Sequence, residues 1–222
     1  MPLRLIAAAS MAAVLATLSV MIVRAVVDPP IMPDIAARET FLLQHVGIGL
    51  AGGLALQLAY RLHGLPSYPR SLLWGAGGFA AAVLAPLWCQ PAQPPGVIPT
   101  EDGGALLFWI FTVAVTGAGL WLLLAVADRW RLIGLALLAA PPLLAPASAW
   151  REHTGLGTDS LTGDIGGALP LDAPPDAPPI LPPYPMEYPA GEDAVLLLGL
   201  NLLFWLLLGA FSVLAARRIM DR

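Results

Sequence analysis

Long runs of apolar residues, broken by short polar stretches, dominate the chain. A bilayer core about 30 Å thick needs roughly 20 mostly apolar residues per helical crossing. Reading with that window predicts six spans, near Leu3–Val27, Phe41–Tyr60, Ser71–Trp88, Ala105–Ala127, Leu132–Ala147 and Ala194–Ala215. The fifth is the shortest apolar run and contains Pro141 and Pro142. Proline is tolerated in membrane helices where neighbours re-satisfy the freed carbonyls, so the span is retained. The expected fold class is therefore all-α: one polytopic membrane domain over residues 1–222, with residues 150–190 as a Gly/Asp/Pro-rich extracytoplasmic loop.

The first apolar stretch resembles a secretory signal, because Arg4 precedes an alanine-rich run. It exceeds the 7–15 apolar residues of such signals, and Asp28-Pro29-Pro30 follows instead of a small-x-small cleavage site. An uncleaved helix is the expectation.

The arginines orient the chain. Arg4, Arg61, Arg70, Arg129, Arg131, Arg217, Arg218 and Arg222 fall on one side of the predicted layer; Arg24, Arg38 and Arg151 fall toward the other. An excess of basic residues marks the cytoplasmic side, so both termini are expected inside, as six spans require. Trp74, Trp121 and Trp130 lie near the predicted inner boundary, and Trp88 and Trp150 near the outer one, as in an interfacial aromatic belt. Of the acidic residues, only Asp128 and Asp221 fall inside. An acidic outer mouth attracts cations through its summed field, although solvation of loops explains the same bias.

Composition agrees with the bilayer reading. Hydrophobic residues make up 58% of the chain and charged residues 12%, about half the usual share for a soluble domain. All 11 basic residues are Arg, and the net charge is −4, which argues against nucleic acid as a partner. One cysteine, Cys89, excludes an internal disulfide framework and a paired-Cys zinc motif. The run from Pro174 to Pro185 predicts an extended, polyproline-like spacer. Asp34, Glu101, Asp102, Glu192 and Asp193 stand where helices begin and can serve as caps.

Ionisable groups inside spans are costly and default to functional candidates. His45 is the clearest. It shares a helix face with Gly49 and Gly53, a close-packing seam, so it is expected to point at a neighbouring helix or a cavity. A metal ligand, a proton relay and a hydrogen-bonded interfacial histidine are all open readings. Glu39 and Gln44 lie nearby, Cys89 closes the third span, and His153 lies in the long loop. Imidazole with carboxylate suits borderline divalent metals, so His45, Glu39, Cys89 and His153 form the candidate metal set. A lone cysteine is more often a small buried apolar residue. Other polar stripes suggest packing: Thr112 with Thr116, Trp74 with Gly75 and Gly78, and Asn201 with Trp205 and Gly209. Asn201 is expected to make an interhelical hydrogen bond, worth about 0.6–2 kcal/mol.

The order of several apolar motifs resembles the CbtA family of predicted cobalt transporter subunits. The likeness rests on Leu72-Leu73-Trp74-Gly75-Ala76-Gly77-Gly78-Phe79, on Leu84-Ala85-Pro86 followed by Pro94-Pro95-Gly96, and on an aromatic-rich fourth span. It continues through Pro142-Leu143-Leu144-Ala145-Pro146 to Asn201-Leu202-Leu203-Phe204-Trp205-Leu206-Leu207-Leu208-Gly209. The resemblance implies cobalt uptake across a bacterial inner membrane, with cobalt or a related divalent metal as substrate and no permanently bound cofactor. It also implies a small histidine-containing membrane partner of the CbtB type. The chain departs from the family in having no histidine before His45, in Arg24, and in the Pro-rich loop.

No Gly-x-x-x-x-Gly-Lys phosphate loop is present, so coupling energy would come from a partner or an ion gradient. There is no nucleophile elbow and no His-Glu-x-x-His, and the chain is not expected to be an enzyme. The alternative to transport is a structural or accessory subunit of a larger membrane complex.

Overall fold

Five long apolar helices and one shorter helix, successive helices running in opposite directions, make up a computed structural model that describes residues 2–27, 35–64, 67–90, 96–99, 103–125, 130–145 and 191–220. Among these residues 94% are helical and none is in a strand. We number the helices α1 (Pro2–Val27), α2 (Ile35–His63), α3 (Tyr68–Cys89), α4 (Gly103–Ala125), α5 (Arg131–Leu144) and α6 (Gly191–Met220). All but α5 are long and apolar enough to cross a bilayer. Helix α5, with 14 residues, rises about 21 Å, short of the hydrocarbon core. The consecutive Pro141 and Pro142 lie inside it, remove two backbone donors and precede its end at Leu144. The predicted fifth span is therefore a shorter helix than the other five. His153, the loop 150–190 and the side chains of the acidic helix-start residues lie outside the described residues.

Small residues decide which faces meet. Helix α1 buries Ala9, Ala12, Ala13 and Ala16, and α2 lays Gly49 and Gly53 against them. A β-carbon on Gly49 would stand 3.0 Å from the Ala13 methyl, and one on Gly53 3.1 Å from the Ala9 carbonyl oxygen. One turn along α2 matches one turn back along α1, so the pair is antiparallel. In lipid the hydrophobic effect does not drive such association; close van der Waals packing does, and glycine and alanine permit it.

Helix α6 occupies the centre, in contact with α1, α2 and α3. Its backbone meets that of α3 where Gly75 faces the Trp205 carbonyl and Gly209 faces the Ser71 carbonyl. The Trp205 indole then covers Gly52 of α2 and Gly78 of α3. Leu200, Phe204, Leu208 and Val213 complete the buried face of α6.

Helix α3 contains a π turn over Ala80–Leu84. Pro86 lacks the N–H that the Ala82 carbonyl would otherwise receive, and a widened turn accommodates the missing bond. Helices α4 and α5 form an antiparallel hairpin around Gly119 and Gly134, each of whose added β-carbons would lie 2.9 Å from the other's carbonyl oxygen.

This arrangement gathers Arg4, Arg61, Arg70, Arg131, Arg217 and Arg218 at one end of the bundle, while Arg24 stands at the other. The start of α1 and the end of α6 share the arginine-rich end. There the Arg217 guanidinium lies over the Tyr68 ring, 4.8 Å from its centroid.

Candidate functional site

His45 sits one helical turn beyond Gly49, on the seam where α2 meets α1 and α6. It is 3% exposed, and its ring meets Phe204 edge-on, with centroids 5.0 Å apart and planes at 85°. The register that pairs Gly53 with Ala9 and Gly49 with Ala13 brings His45 level with Thr17, which is also buried. The expected orientation is thus observed: the imidazole faces protein, as the Gly49–Gly53 face requires. Burying a polar ring in hydrocarbon is costly without compensation. Its place at a three-helix junction, in the half of the bundle that holds Arg24 and lies away from the arginine-rich end, is the feature a cation or proton pathway would use.

The remaining candidates are dispersed. Cys89 ends α3 and is buried at 1% exposure, the environment of a small apolar residue. Gln44 is half-buried. Glu39 lies in the first turns of α2 with its side chain outside the described residues, as is His153 entirely. Among the described residues, no three His, Cys, Asp or Glu side chains gather closely enough to hold a metal ion.

Sequence reasoning missed a polar relay nearer the arginine-rich end. Gln57 Nε2 donates to the Ser212 carbonyl at 2.9 Å, joining α2 to α6. Ser71 Oγ donates to the Gly209 carbonyl at 2.5 Å, joining α3 to α6. Since that bond uses the only hydroxyl proton of Ser71, the Tyr60 hydroxyl is the donor in the 2.8 Å contact between the two side chains. Three helices are locked by groups of which none is charged. The polar residues Gln57, Tyr60 and Ser71 flank the turn between α2 and α3, and that clustering was the available signal.

The second feature missed is a cleft. Helices α2 and α4 stand apart along most of their length and enclose about 700 Å³ of apolar space, floored by α3 and Trp205. Small residues make much of its wall, including Gly47, Ala51 and Ala55 on α2 and Ala114, Gly117 and Ala118 on α4. At the arginine-rich end the two helices are joined: Trp121 Nε1 donates to His63 Nε2 at 3.2 Å. The His63 ring also meets the Trp74 ring edge-on at 6.2 Å. Accepting at Nε2 places the proton of the neutral imidazole on Nδ1.

Comparison with known proteins adds no assignment: no protein-family model, no curated protein and no solved structure matches this chain.

Proposed function

We propose that this chain is a membrane subunit of an uptake system for a divalent metal of the cobalt type, in a bacterial inner membrane with both termini cytoplasmic. The observation that carries this reading is His45, an imidazole 3% exposed inside an apolar bundle. An ionisable residue inside the membrane is by default a candidate for an ion or proton pathway. His45 lies toward the end of the bundle whose connecting segments hold most of the carboxylates, Asp28, Asp34, Glu101 and Asp102 among them. An acidic entrance leading to a borderline nitrogen ligand suits cobalt, nickel or zinc. The ordered motifs that resemble the CbtA family support the same reading, and the resemblance implies a small histidine-bearing partner.

A second reading, an accessory subunit without transport of its own, is favoured by the lack of a three-ligand cluster among the described residues. Cobalt accumulation in cells expressing matched amounts of wild type, His45→Ala and Glu39→Ala separates the two. The transport reading expects uptake to fall at least about tenfold in His45→Ala. Unchanged uptake in both variants assigns the chain to the accessory role.

A further inference from the structure

Between α3 and α4 the chain turns back into the bundle. Gln90 Nε2 donates to the Ala105 carbonyl at 3.1 Å, so positions 90 and 105 stand level, at the end opposite the arginine-rich one. Gly96 lies much deeper, because a β-carbon added to it would overlap the Asn201 amide. The α3–α6 register gives the depth. Gly75 on Trp205 and Ser71 on Gly209 are pairs that bring Phe79 level with Asn201 and Val83 level with Leu197. Since the Asn201 amide donates to the Leu197 carbonyl, it lies between those two levels. They fall ten and six residues short of Cys89, where α3 ends. At 1.5 Å per residue, Gly96 therefore seats about 9–15 Å inside the bundle. The excursion is tied at its neck by Gln90 and Ala105 and seated at its tip on Asn201.

The tip belongs to no helix. Gly96 has φ +77°, and Gly96, Val97 and Ile98 are half-buried rather than sealed. Ile98 also forms part of the α2–α4 cleft wall. The N–H groups of Gly96, Val97 and Ile98 and the carbonyls of residues 96–99 all need partners, while Pro99 has no N–H. Among the described residues, none hydrogen-bonds to the backbone of this segment. At the neck, Gln90 Oε1 is buried and accepts no hydrogen bond from a described residue. Irregular backbone at membrane depth is tolerated only where protein buries it or where it lines a water-filled space. Half-exposed polar backbone points to the second case, because water both donates and accepts.

We propose that this re-entrant segment lines a water-filled vestibule, floored by Asn201, through which a hydrated cation enters the bundle. The vestibule's water follows from the backbone alone, whereas its use by a cation rests on the transport reading. Asn201 is 4% exposed and carries the amide at the floor. Phe204, one turn further along α6, holds its ring 5.0 Å from that of His45. The vestibule thus ends within two side chains of the buried imidazole.

Thiol labelling of the full chain in lipid nanodiscs tests the water, with a cationic, membrane-impermeant methanethiosulfonate as the probe. Cys89→Ala removes the only native thiol and supplies the background; should it fail to fold by circular dichroism, wild type serves, since Cys89 is buried. Leu202, next to Asn201, 38% exposed and off the cleft wall, is the lipid-facing control at the same depth. Val97→Cys and Ile98→Cys are expected to react at least about tenfold faster than Leu202→Cys, because the reactive thiolate does not form in hydrocarbon. Equal rates at the three positions, slow or fast, overturn the vestibule. In cells, labelling Val97→Cys should then block cobalt uptake, with the equally treated background variant unaffected. Uptake that survives labelling, while His45→Ala still lowers it, means that the metal enters elsewhere and overturns the entrance. If His45→Ala leaves uptake unchanged, the transport reading falls, and the labelling rates still decide whether the vestibule is wet.

Discussion

The indole of Trp205 lies where a β-carbon on Gly78 would have to be, so the two residues share one volume between α6 and α3. The same ring closes over Gly52 of α2, with the nearest ring atom 2.8 Å from that glycine's hypothetical β-carbon. One side chain thereby sets the spacing of three helices.

Gly78→Leu should destabilise the bundle by about 3 kcal/mol, because the leucine and the indole cannot coexist. Trp205→Ala should cost about 3–5 kcal/mol through the void it leaves. Combining them should cost clearly less than the sum, since the leucine refills the space of the ring. Denaturation by SDS of protein in mixed micelles, read by circular dichroism, gives all three values; strict additivity would contradict the shared volume.

Tyr60→Phe and Ser71→Ala should not be equivalent. Tyr60→Phe removes a donor and leaves the Ser71–Gly209 bond in place, at a cost of about 1 kcal/mol. Ser71→Ala strands both the Tyr60 hydroxyl and the Gly209 carbonyl in apolar surroundings and should cost more, about 2 kcal/mol. The same denaturation assay orders them, and equal losses would mean that Tyr60 finds another acceptor.

His63→Phe deletes the acceptor that Trp121 uses and so should release the one polar tie described between α2 and α4. Spin labels placed at Leu58 and Leu124, near that end of the cleft, should show a broader and longer distance distribution in the variant than in wild type. An unchanged distribution would assign the cleft width to α3 alone.

Reporter fusions check the number of crossings. A fusion after Arg222 should behave as cytoplasmic, one within residues 150–190 as extracytoplasmic, and one at Asp128 as cytoplasmic. If the fusion in 150–190 reports the cytoplasm, α5 does not carry the chain across, and the shared direction of α4 and α6 is overturned.

Much of the architecture was legible from composition and periodicity, because in lipid every backbone polar group must be satisfied within its own segment. A run of about twenty apolar residues therefore has one structural outcome, and α1, α2, α3, α4 and α6 follow from Leu3, Phe41, Ser71, Ala105 and Ala194 onward. The Gly49–Gly53 seam and the Gly75, Gly78 and Trp205 stripes were legible for the same reason: small residues at helical spacing mark where backbones approach. The burial of His45 followed from its place on that seam.

What the linear pattern left open depends on which faces are opposed, and that is a property of the assembled bundle. Nothing in the order of residues brings His63 beside Trp121, 58 positions away, or lets Ser71 reach the Gly209 carbonyl. Asn201 was expected to bond across helices; its amide donates instead to the Leu197 carbonyl one turn back in its own helix, and what the fold adds is the close approach of its side chain to Gly96, where φ is +77°. The α2–α4 cleft is the clearest case, because glycine and alanine read the same whether a neighbouring helix covers them or open space does. By itself the sequence determined the helices, their order and the faces able to pack closely; tertiary structure alone decided which of those faces met and which was left open, since packing in lipid is won by surface fit between segments far apart in the chain.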